Sequence, residues 1–160
     1  MNGLPEPGPS PFTHPIGHAR SRIQNRLYLN LKRIPGLVEP RFVESEAGIG
    51  GKIRADVETM VFANGVIPTG EAAVHANWWP QPDDEQDWFQ IHYADETGFD
   101  CGWHRQANEH VDGLGHYQER DGVGSAYEYE SVTFDVENPV GILWDVVDER
   151  LPARLWSHYE

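Results

Sequence analysis

Residues 88–106, WFQIHYADETGFDCGWHRQ, are written with a period of two. Phe89, Ile91 and Tyr93 alternate with Trp88, Gln90 and His92, and Phe99, Cys101 and Trp103 alternate with Asp100, Gly102, His104 and Gln106. Successive side chains of a strand point to opposite faces, so the pattern predicts two strands with one apolar and one polar face. Glu96-Thr97-Gly98 between them predicts a three-residue hairpin loop with glycine in the left-handed position. Such a loop pairs Asp95 with Phe99, Tyr93 with Cys101, Ile91 with Trp103 and Gln90 with His104. A two-residue loop would slip the register by one and mix the two faces. The register therefore sends Cys101 into the core and turns Gln90, His92, His104 and Gln106 away from it.

The rest of the chain is expected to extend this sheet and cover its apolar side. At 160 residues the length suits one domain. Residues 1–17 include Pro5, Pro7, Pro9, Pro11 and Pro15 and predict an extended arm, leaving 18–160 as a single domain. Ser21 and Gln24 have capping-box spacing, and Ile23, Leu27, Leu31 and Ile34 form a helical stripe that Pro35-Gly36 stops. Leu37–Glu44 reads as a short strand. Ile53, Ala55, Val57, Thr59 and Val61 alternate in a second strand that ends at Asn64-Gly65. Ala73–Trp79, His116–Glu119 and a long Tyr127–Val136 strand follow, the last with Val132, Phe134 and Val136 in the core. Asn138 as N-cap and Pro139 at the first helical position open a final helix with a stripe of Val140, Leu143, Trp144, Val147 and Leu151, and Pro152 is its expected end. The sum is an α+β fold: an antiparallel sheet of about six strands with an N-terminal and a C-terminal helix on its apolar face.

Charge narrows the function classes. The formal net charge is −14, with 26 acidic against 12 basic residues, and Lys32 and Lys52 are the only lysines. An acidic, lysine-poor surface suits solubility in high salt, the halophilic reading; an ordinary acidic protein is the other. The acidity argues against affinity for nucleic acid over the whole surface, because phosphates need a basic footprint, but it does not exclude a local basic groove. Arg20, Arg22, Arg26, Lys32, Arg33 and Arg41 hold half of the positive charge within 22 residues. They form either a solvated helix face or a contact for RNA or an acidic partner. The glycines at 48, 50 and 51 lack the Lys-Ser/Thr helix start of a phosphate loop. A single cysteine, no long apolar run and no secretory signal predict a cytoplasmic protein with no membrane span.

Residues 85–121 hold four of the eight histidines and the only cysteine. Cys101, His104, His110 and His116 match no common zinc spacing, and the register points Cys101 to the wrong face. A histidine-only metal site from His92, His104, His110 and His116 stays open; the expectation carried forward needs no metal or cofactor. Histidine titrates near neutrality, so His104, His110 and His116 are candidate acid–base catalysts at a phosphodiester. Arg105 is a candidate for stabilising the developing anion, although the alternation turns it away from His104. His92, Gln90 and Gln118, with Arg22 and Arg26, are candidate substrate contacts. The plainer reading makes these histidines polar residues of an exposed sheet face.

From Ile53 to Leu151, about 100 of the 160 residues, the order of elements resembles the TumE-like toxins of toxin–antitoxin pairs. The layout runs through a strand ending in Asn-Gly, an aromatic strand ending in His-Tyr-Xaa-Asp, a histidine-rich segment and a C-terminal helix. The family's aromatic-Asp-Asn element with clustered histidines corresponds to Gly102-Trp103-His104-Arg105, Asn108-Glu109-His110 and His116; its Asp-Asn pair and His-His doublet are absent. The resemblance implies a small cytoplasmic toxin with RNA as candidate substrate and a cognate antitoxin protein; joined to the metal-free reading of the histidines, it predicts a metal-independent ribonuclease. The alternative is a halophile relative with the same fold and a changed role, a non-enzymatic protein-binding module.

Overall fold

The computed structural model describes residues 15–44, 51–82 and 85–160, with side chains from residue 19 onward. Helix α1 (Pro15–Leu31) leads into strands β1 (Leu37–Glu44), β2 (Gly51–Val57), β3 (Ala72–Trp79), β4 (Trp88–Asp95), β5 (Asp100–Arg105), β6 (Gly115–Arg120) and β7 (Glu128–Ser131). Helix α2 (Pro139–Trp144), a π-helical segment (Asp145–Arg150) and helix α3 (Leu151–Tyr159) complete the chain. The seven strands form one antiparallel sheet in sequence order. The fold is thus the expected α+β arrangement with one strand more than the approximate count.

The β4–β5 register is the one the alternation dictates: Tyr93 opposes Cys101, Ile91 opposes Trp103 and Gln90 opposes His104. Gly98 takes a φ of 95°, and its amide donates to the Asp95 carbonyl at 3.1 Å, closing the three-residue loop. Cys101 is wholly buried, and burial raises its thiol pKa far above the ordinary value.

One sheet face carries Ile53, Ala55, Val74, Ala76, Trp78, Phe89, Ile91, Tyr93 and Trp103, and all three helices pack on it. Leu27, Leu31 and Ile34 approach from α1 and its exit turn; Ile142, Leu143, Val146, Val147, Leu151 and Leu155 come from the C-terminal helices. The opposite face is polar and no helix among the described residues covers it, as suits an antiparallel sheet with one solvated side. Both edges are blunted. On β1, Pro40 lacks an N–H, and the register shifts between Val38 and Arg41 around Glu39 at φ 51°. On the other side β7 is only four residues long.

Four boundaries differ from the sequence pattern. Helix α1 begins at Pro15, before Ser21, so residues 15–17 of the expected arm form its first turn; the arm's other residues lie outside the described ones. Gln24 is consequently no capping residue: it is buried and donates to the Gly51 carbonyl at 2.8 Å. Strand β2 stops at Val57, where β1 begins, because the Glu58 amide is taken by the Gly36 carbonyl at 2.8 Å and the chain turns to bury Phe62. Thr59 and Val61 therefore lie in a turn. The expected 127–136 strand keeps its alternation of half-buried Val132, Phe134 and Val136, but its ladder ends once Val132 donates to Gly115, the first residue of β6.

Pro152 does not end the helix. Leu151 N–H reaches Val146 O, five residues back, and this widened turn precedes the proline, whose ring would clash with the carbonyl of an ordinary turn.

Candidate functional site

The polar face gathers four histidines on four adjacent strands. His75 on β3 pairs with His92 on β4, and His104 on β5 pairs with His116 on β6. His92 and His104 meet diagonally across Gly102, with Nδ1 of His92 3.2 Å from Nε2 of His104. Gly102 makes that contact: a Cβ there would stand 2.2 Å from His92 Nδ1 and 2.7 Å from His104 Nε2. On its other side His92 Nε2 is hydrogen-bonded to the Asp100 carboxylate, which also accepts from Tyr127 at 3.0 Å and pairs with Arg120 at 3.3 Å.

Asp100, His92 and His104 thus form a hydrogen-bonded chain whose tautomers are coupled. The carboxylate can only accept, so neutral His92 carries its proton on Nε2 and accepts at Nδ1 from His104 Nε2–H. The Nδ1 lone pair of His104 is left buried and, among the described residues, without a partner. His104 is 5% exposed and His116 is fully buried, their rings 5.0 Å apart. His116 is held by Asn108 at 3.3 Å and the Leu114 carbonyl at 3.4 Å.

Electrostatics keep most of the row neutral. Burial, then the neighbouring imidazoles His92 and His116, bring His104 down to about 3. Burial, then Lys52 and Arg54, bring His75 down to about 4. His116 is also lowered by burial. Burial opposes the charge on Asp100, but the hydrogen bonds from His92 and Tyr127 and the charge of Arg120 outweigh it and hold its pKa below the ordinary carboxylate value.

The other expected site residues divide between the two faces. Gln90 lies beside His104 and donates to Gln106 at 2.9 Å, while Gln118 shares its strand face with His116. His110 is exposed on the loop before β6 and stacks on Tyr129, apart from the His92–His104 contact. Arg105 does not join the histidines: it lies on the opposite face, over the Phe89 ring at 5.1 Å. Arg22 and Arg26 are exposed on α1, across the core from the histidine row, so they cannot flank a groove with it. Among the described residues, no three His, Cys, Asp or Glu side chains are placed to hold a metal ion, and no helix is long and apolar enough to cross a membrane.

A second candidate surface lies on α1. Arg22, Arg26 and Leu29 follow spacings of four and three, which line one stripe of a helix, and Arg33 follows in the turn after α1. The three arginines are exposed, and Leu29 is 56% exposed. Phe42 on β1, 50% exposed, stacks on Tyr28 of the same helix at 5.3 Å. The sequence carries a signal for this surface beyond the density of its cations: residues 7–38 contain no aspartate or glutamate, in a chain that has 26. Gly102 had no comparable signal, since a strand glycine shows its purpose only when its neighbours are placed.

No family model matches the chain, and no curated protein or solved structure matches it.

Proposed function

We propose that the protein is a non-enzymatic binding module that docks an acidic protein partner on helix α1. The observation that carries this reading is the exposed Arg22, Arg26 and Leu29 on an acid-free helix, with exposed Arg33 in the turn after it and Phe42 stacked on Tyr28 of the same helix, in a protein with net charge −14. Cations steer an acidic segment to the stripe, and Leu29 and Phe42 give its apolar side chains a surface to cover. The histidine row fits catalysis less well. Both ring nitrogens of His92 are occupied, and the free nitrogen of His104 is buried where no substrate proton reaches it.

A toxin-like ribonuclease is the second reading, and the Asp100–His92 pair favours it, because a carboxylate orients a general base in this manner. One set of measurements separates the two. Fluorescence anisotropy with a labelled acidic, leucine-containing peptide is expected to show binding that weakens with salt. Arg22→Glu with Arg26→Glu should reduce that binding by about tenfold or more. RNA incubated with the wild type is expected to stay intact. RNA cleavage that is lost in folded His104→Ala, with peptide binding absent, would replace the docking reading by the enzymatic one.

A further inference from the structure

Arg105 occupies a position that its sequence neighbours do not explain. The residue is only 6% exposed, and its one hydrogen bond runs from Nε to the Asp87 carbonyl at 2.7 Å. Among the described residues no carboxylate forms an ion pair with it. The Asp87 carboxylate is already taken by Trp78 Nε1 and the Gln81 amide, both at 2.9 Å. Guanidinium keeps its charge at any pH a folded protein meets, and buried arginines are almost always paired. Arg105, whose two Nη groups have no hydrogen-bond partner among the described residues, lines a cavity of about 480 Å³ together with Gln86, Leu114, Gly115, Val132 and Phe134.

We propose that this cavity is a binding site for a small organic monocarboxylate with an apolar or aromatic body, anchored by Arg105. With Nε committed to the backbone, Nη1 and Nη2 are the two donors left for a carboxylate. Among the described residues Arg105 is the one basic side chain that lines the cavity. Asp112 lines it too, and Asp87 and Glu137 act on Arg105 through their charge, so a dianion such as phosphate would be repelled about twice as strongly as a monoanion. Val132, Phe134 and Leu114 supply apolar walls for the ligand's body. The volume falls within the range of small-molecule pockets. Gly115 fits the same arrangement: a Cβ there would stand 2.2 Å from the Val132 carbonyl, so glycine lets the two walls approach.

Benzoate is the probe, with benzamide as its neutral counterpart and inorganic phosphate as the dianion. Calorimetry and amide chemical shifts on the full chain should give benzoate a dissociation constant of about 1 mM or tighter, as nine heavy atoms at ordinary ligand efficiency allow. Shifts should concentrate at 113–115 and 132–134, and benzamide should bind about tenfold more weakly or worse. Arg105→Gln should lose about tenfold in affinity. Leu114→Trp fills the mouth from a position 37% exposed, so it should fold normally and block benzoate even where Arg105→Gln does not fold. The proposal is overturned if benzoate at about 10 mM leaves those amides unmoved. It is equally overturned if benzoate binds folded Leu114→Trp unchanged, or if benzamide or phosphate binds as tightly as benzoate.

Discussion

His104 shows how one residue can be well placed in the pattern and still be unavailable for chemistry. Its pKa of about 3 has a thermodynamic consequence. The unfolded chain takes up a proton near the ordinary value of 6.5, whereas the folded chain resists protonation until about 3. The folded state therefore binds fewer protons than the unfolded one across that window, and stability falls as pH drops through it. His75, lowered to about 4, acts in the same direction. Urea unfolding should show the wild type losing stability steadily from pH 7 to pH 4. His104→Gln should be less stable at pH 7 by about 1–3 kcal/mol but lose distinctly less on acidification; equal losses in the two proteins would show that His104 does not resist protonation. Gly102→Ala tests the geometry itself. Its Cβ would press on both imidazoles, at a cost of about 1–3 kcal/mol for overpacking, and the His92 ring signals should move. An unperturbed His92 in that variant would contradict the pairing. The faces of His92, His104 and Cys101 were legible in the sequence because a period of two leaves only one register with an apolar side. The burial of His104 and the room supplied by Gly102 were not, since both depend on neighbouring strands and on the loop that carries Asn108.

Among the elements, α1 is fastened to the sheet by a residue whose charge alone suggested a surface role. Arg20 donates from Nε to the Trp78 carbonyl at 2.9 Å, and from Nη2 to the Gly51 carbonyl at 2.8 Å and Asn77 Oδ1 at 2.7 Å. The described β2–β3 pairing runs no further than Ile53 with Ala76, so the guanidinium bridges the two strands beyond their ladder. Arg20→Met keeps the aliphatic stem and removes all three bonds, and should cost about 2 kcal/mol in chemical unfolding. Arg22→Met, on the exposed side, should stay within about 0.5 kcal/mol of wild type. Equal effects would show that Arg20 is no more than a surface cation. Element types were largely readable in advance, because the apolar periods of 2 and 3.6 are long and clean. Their ends were less so: β2, the 127–136 segment and the C-terminal helix are each ended or prolonged by a partner element or a π turn that local sequence does not encode.

At the scale of the whole molecule, the polar side of the sheet and the outer side of α1 lie on opposite sides of one core. A single ligand therefore does not readily use both. The segregation of charge supports the proposed docking on α1: Arg22, Arg26, Lys32 and Arg33 are exposed on the helix or just after it, with no acid between residues 7 and 38, against −14 for the chain. The density of cations was visible in sequence order, but whether it faced the histidines depended on which side of the sheet the helix took. The most direct measurement is an amide chemical-shift map of the isotope-labelled protein titrated with the acidic, leucine-containing peptide at low salt. Binding on α1 predicts shifts at Arg22, Arg26, Leu29, Arg33 and Phe42, suppressed by salt, with His92, Gly102, His104 and Gln118 unmoved. Shifts confined to the histidine row, or none at all, would contradict the docking surface.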